Sequence, residues 1–161
     1  MTKRIANSAM LVALALIFSY VEVLIPFSFG IPGIKLGLAN LVVVTGLFIL
    51  KPSEVFGILL TRIILVAFLF GNMSSLIYSL SGGILSFCVM LLLKRCKGFS
   101  ITGISIAGGI SHNIGQLVVA AIVVESVSVF YYMPVLMISG LVTGMLIGIV
   151  GQRVHKIIGK I

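Results

Sequence analysis

Residues 101–124, ITGISIAGGISHNIGQLVVAAIVV, run for 24 positions without one Asp, Glu, Lys or Arg. A helix rising 1.5 Å per residue needs about 20 apolar residues to cross the hydrocarbon core of a bilayer. A surface helix of a soluble domain would carry charge along its outer stripe. This one carries none, so its whole circumference reads as facing protein or lipid.

The same reading extends outward in both directions. Spans are expected at about 5–25, ending before Pro26, at 36–50, ending before Lys51-Pro52, and at 55–70, ending at Gly71-Asn72. Others are expected at 74–93, ending in Lys94-Arg95-Cys96-Lys97, at 101–124, ending at Glu125, and at 135–150, after Pro134. The expected fold is an all-α membrane bundle of about six transmembrane helices in a single domain over residues 1–161. The second and third spans are short, so a hairpin that does not fully cross is the competing count. Lys3 and Arg4 precede the first apolar run as in a signal peptide, but further spans follow, which favours an uncleaved helix.

Composition points the same way. The chain is 60% hydrophobic and 9% charged, with a mean hydropathy of +1.34. Soluble domains are about a quarter charged, so this chain lacks the polar groups to cover a wet surface. Its net charge of +8 does not indicate nucleic acid, because the basic residues punctuate the apolar runs rather than forming one solvated face. They sort by compartment instead. With the N-terminus inside, Lys3, Arg4, Lys51, Lys94, Arg95, Lys97, Arg153, Lys156 and Lys160 all fall on the cytoplasmic side, which is nine of eleven. Lys35 falls outside and Arg62 within a span. That bias predicts both termini in the cytoplasm. Trp is absent, so any aromatic belt comes from Tyr and Phe.

Several chemistries are excluded by what is missing. There is no Walker loop for ATP. There is no aspartate, and Glu22, Glu54 and Glu125 are the only acids, so the aspartate-rich motif that holds magnesium on a diphosphate cannot be built. The histidines, His112 and His155, lack metalloprotease spacing, and Cys88 and Cys96 define neither a disulfide framework nor a zinc site. No autonomous enzyme, metal or cofactor is expected.

Polar groups within a bilayer are costly and mark candidate sites. Arg62 lies about eight residues into its expected span. It reads either as a cation for a polar ligand or as a packing group paired with Glu22 or a carbonyl. His112 and Gln116 share a helical face, with Asn113 beside Gln116. They read either as glue between helices or as cavity lining. Lys35 and Asn40 would lie near the outer mouth of the same cavity. Gly140, Gly144 and Gly148 form two GxxxG steps, expected to pack inside the bundle. The similar strings at 79–84 and 105–110 are expected to mark close helix crossings.

The string Pro32-Gly-Ile-Lys-Leu-Gly-Leu-Ala-Asn40 and the string Gly108-Gly-Ile-Ser-His-Asn-Ile-Gly-Gln116 resemble the family called heptaprenyl diphosphate synthase component I, also described as Gx transporters. In architecture the chain resembles the substrate-binding S components of energy-coupling factor (ECF) vitamin transporters. That resemblance implies a small-molecule solute in an outward-facing pocket, a transmembrane coupling subunit and two ATPases. It also implies that Ala9 and Ala13, an AxxxA step on the first helix, pack against the coupling subunit. The synthase label implies instead a subunit of a prenyl chain-elongating enzyme, and without aspartates this chain could only anchor or regulate its partner.

Overall fold

The computed structural model describes residues 2–24, 38–71, 73–96 and 98–158. Those residues form helix α1 (Thr2–Leu24), α2 (Asn40–Ile49), α3 (Pro52–Phe70), α4 (Met73–Arg95), α5 (Ile101–Val123) and α6 (Met133–Ile158), with a 3-10 turn at Val127–Tyr132 before the last. Among the described residues there is no β-strand. Helices α3, α4, α5 and the unit 127–157 are long and apolar enough to cross a membrane.

Helix α2 departs from the expected span of 36–50. It has ten residues, about 15 Å or half a bilayer core. Its C-terminal limit comes from Pro52. A residue before proline is pushed out of the helical region, and Lys51 is extended at φ −70°, ψ 144°. Its start is tied by a tertiary bond, the Leu38 N–H donating to Glu22 Oε1 of α1 at 3.0 Å. Pro52 then opens α3, whose missing N–H is harmless at that position, and the Lys51 N–H bonds Glu54 Oε2 at 3.2 Å. Helix α3 therefore begins at Pro52, three residues earlier than expected.

Local signals also set the other ends. Ser100 caps α5, its Oγ accepting from the Gly103 N–H at 3.1 Å. Gly98, at φ +125°, makes the turn from α4 that a side chain would strain. Pro134, expected in the turn, sits instead in the first turn of α6, where proline is tolerated.

Consecutive helices alternate in direction, which gathers charge at one end. Lys94 Nζ donates to the Leu47 carbonyl at the end of α2 and lies 5.3 Å from the centre of the Phe48 ring. Phe48 in turn meets His155, near the end of α6, at 5.8 Å in a tilted ring contact. Lys51, Lys94, Arg95, Arg153 and Lys156 thus share one end of the bundle. At the opposite end Tyr20 meets Phe70 at 5.1 Å, and among the described residues no Lys or Arg lies there.

The core centres on α2. Residues Val42–Leu47 are all buried, and Val43, Val44 and Leu47 join Val55, Leu59, Ile63, Phe87, Met90, Ile104 and Ile147 in one cluster. Outward faces are apolar as well: Phe68, Leu92, Ile122, Ile138 and Leu146 are all exposed. Water would leave so large an apolar surface prone to association, whereas hydrocarbon favours it. The chain is a multi-pass helical membrane protein.

Candidate functional site

Between α2, α4, α5 and α6 lies a cleft with about 460 Å³ of empty volume, counting the part open to its surroundings. Its polar lining is Asn40 from α2, Ser86 from α4, Ser105, His112, Asn113 and Gln116 from α5, and Thr143 from α6. Val44, Met90 and Ile147 supply apolar wall.

Glycines make room for these side chains. A Cβ on Gly82 would stand 2.8 Å from Gln116 Cγ and 3.1 Å from His112 Cε1, so α4 needs a bare backbone where the two groups emerge from α5. Gly140 does the same for Asn113, whose Nδ2 donates to the Leu136 carbonyl of α6 at 2.6 Å. One amide of the expected cluster therefore acts as interhelical glue while also lining the cleft.

The remaining GxxxG steps pack internally. Cβ atoms on Gly144 and Gly148 would lie 2.8 and 2.6 Å from the Cα atoms of Ile106 and Thr102. The paired-glycine strings likewise sit at helix crossings, Gly82 and Gly115 between α4 and α5 and Gly109 against Gly140.

Of the six residues expected to line a cavity, Asn40, His112, Asn113 and Gln116 are brought together. Lys35 lies outside the described residues. Arg62 is buried on α3 behind Asn40 and does not line the cleft; its Nη2 donates to Asn40 Oδ1 at 3.4 Å. Glu22 is its electrostatic partner. Arg62 and Glu22 together pin the start of α2, the former through Asn40 and the latter through Leu38. Ala9 and Ala13 are exposed on the outer face of α1.

Three polar lining residues escaped the sequence reading, Ser86, Ser105 and Thr143, the last of which bonds the Ser139 carbonyl. Ser86 and Ser105 are each 2% exposed, and neither Oγ has a hydrogen-bond partner in the structure. Both lie on stripes that spacing could have revealed: Gly82, Ser86 and Met90 at four-residue steps, and Ser105, Gly108, His112 and Gln116 at steps of three and four. Among the described residues, no three of His, Cys, Asp and Glu come together as a metal site would require.

The family model for heptaprenyl diphosphate synthase component I matches residues 11–154. The chain belongs to that family. The matched segment takes in every residue lining the cleft and both strings that carried the resemblance. The family's name marks one component of a synthase. No curated protein and no solved structure matches the chain.

Proposed function

We propose that the chain is the solute-binding subunit of an ECF-type uptake transporter, seated in a bacterial inner membrane with both termini in the cytoplasm. The observation that carries this reading is the cleft, where four helices converge polar side chains on an otherwise apolar wall. Small-molecule sites have that character, an apolar enclosure with a few placed polar groups. Asn40, His112, Asn113 and Gln116 contact the solute, and Arg62 holds Asn40 from behind. The solute is a vitamin-, flavin-, quinone- or isoprenoid-related small molecule. The chain itself catalyses nothing.

The exposed Ala9 and Ala13 give a second element close approach to α1, and that element is the coupling subunit, which carries two ATPases. Transport then requires a helix arrangement with two states, biased by solute and partner. Purification in mild detergent from a host that contains such a module should recover the coupling subunit and ATPases. Their absence, with the chain intact, would overturn the reading. Accessibility labelling of terminal tags tests the topology, and termini on opposite sides of the bilayer would remove the cavity's geometry.

The family name favours a second reading, a non-catalytic membrane accessory of heptaprenyl diphosphate synthesis. It predicts copurification with a soluble, aspartate-rich synthase and a change in product chain length when this chain is deleted.

A further inference from the structure

We infer that the end of the solute inserted into the cleft is uncharged, an alcohol, carbonyl or amide held by the Ser86 and Ser105 hydroxyls, and not a diphosphate or other anion. The inference rests on the cleft being a solute site, as proposed above, and names the chemistry of what enters it.

Three observations converge on it. The first is the state of the hydroxyls. Serine and threonine inside a helix usually bond back to a carbonyl three or four residues earlier. Ser111 does so to Ala107 at 2.7 Å, Thr143 to Ser139 at 2.8 Å, and Ser81 to Tyr78 at 2.9 Å. Ser86 and Ser105 do not, although both are buried and both line the cleft. A buried hydroxyl left without a partner is costly, and a ligand oxygen or amide in the cleft removes that cost.

The second is charge. Among the described residues that line the cleft there is no Lys, Arg, Asp or Glu, and His112 is the one titratable side chain. The nearest buried cation, Arg62, is turned to Asn40 and lies in the field of Glu22. A diphosphate buried here would lose its hydration without gaining the charge-assisted bonds that anion sites use.

The third is the helix terminus that reaches the cleft. The start of α2 could attract an anion through its free N–H groups. A carboxylate already stands beside it, since the Leu38 N–H bonds Glu22 Oε1, and that charge opposes a second anion. Further in, the N–H groups of Leu41 and Val42 bond the carbonyls of Leu38 and Ala39. A neutral group with both donor and acceptor character suits what remains, because a hydroxyl offers one proton and two lone pairs.

The test is native mass spectrometry of the full-length protein from its own host, comparing the wild type with S86A/S105A. Thermal shift with farnesyl diphosphate and inorganic pyrophosphate supplies two anionic probes. A neutral small molecule should stay with the wild type, and its retained fraction should fall at least about tenfold in the variant, as for loss of a neutral hydrogen bond. The empty variant should melt no lower than the empty wild type, and neither anion should shift the melting temperature. An anionic molecule on the wild type, a saturable shift with farnesyl diphosphate that the variant loses, or a neutral molecule retained by the variant would each overturn the inference while leaving the cleft a solute site. A wild type carrying nothing, in any preparation, would overturn the solute-binding reading itself. If the double variant fails to assemble, S86A and S105A singly read the same loss.

Discussion

The two faces of α5 are built on opposite principles. Along α6 it is packed backbone to backbone, with Gly109 against Gly140, Ile106 against Gly144 and Thr102 against Gly148. Along the cleft it carries the polar stripe of Ser105, His112 and Gln116, where Gly82 of α4 leaves room for the last two. The seam cannot move without breaking van der Waals contacts, and small-residue packing is what holds membrane helices together. The cleft face has unmet hydrogen-bonding capacity and a neighbour, α2, that is only half a span long. Helix α5 thus borders both a closed seam and a cleft.

The largest effect should come from filling the seam. A Cβ on Gly109 would meet the Gly140 carbonyl oxygen, and no side-chain rotation can relieve a backbone clash. Gly109→Ala should destabilise by about 2 kcal/mol or more, in the range for overpacked cores. Gly57 is the control, since nothing lies within 4 Å of its Cβ position. Gly57→Ala should gain about 0.5–1 kcal/mol from helix propensity. Thermal melts in one detergent compare the two, and equal losses would show that the seam is not special.

Next comes the glue between seam and cleft. Asn113→Ala removes the bond to the Leu136 carbonyl and should cost about 0.5–1.7 kcal/mol, the measured span for such bonds in membranes. Gln116→Ala removes a side chain that lines the cleft and should change stability less than Asn113→Ala does. A larger stability loss at Gln116 would reverse the roles given to the two amides.

At the basic end the same contrast can be tested through α2. Lys94 closes the C-terminus of α2 by bonding the Leu47 carbonyl, with its charge near the Phe48 ring. Lys94→Met keeps the stem and removes the cation, and should cost about 0.5–1 kcal/mol. Hydrogen exchange should report the loss in residues 40–49 and leave α5 and α6 unchanged. A uniform loss would mean that Lys94 braces the seam as much as it braces α2.

How legible all this is from the sequence differs between the two faces for physical reasons. Helices α4, α5 and α6 are plain because a charge-free run of twenty residues has few alternatives. The GxxxG steps announce the seam, since only glycine permits such approach. The length of α2 is hidden: its residues are as apolar as those of a full span, and its start depends on Glu22, sixteen positions before Leu38. Asn40, His112, Asn113 and Gln116 stand out as polar groups in apolar runs. Ser86 and Ser105 do not, because serine in a helix ordinarily satisfies itself, and only the side-chain direction in the folded bundle shows otherwise. Arg62 stands out for the same reason as Asn40, and of its two readings, cation for a ligand or packing group, the bond to Asn40 Oδ1 fits the second.

The smallest effect is also the one whose sign matters most. Ser111 and Ser86 are both buried serines in spans, but Ser111 bonds the Ala107 carbonyl at 2.7 Å and Ser86 bonds nothing. Ser111→Ala removes a satisfied hydroxyl, leaves a carbonyl that is still bonded within its helix, and should cost between zero and about 1 kcal/mol. Ser86→Ala removes an unsatisfied one, so in the empty protein it should be neutral or stabilising by up to about 1 kcal/mol. Overlaid melts of the two variants, with any bound small molecule first removed, decide between signs rather than magnitudes. If Ser86→Ala instead destabilises as Ser111→Ala does, its hydroxyl is part of the packed scaffold. The division of α5 into a rigid face and a receptive one then fails where the cleft begins.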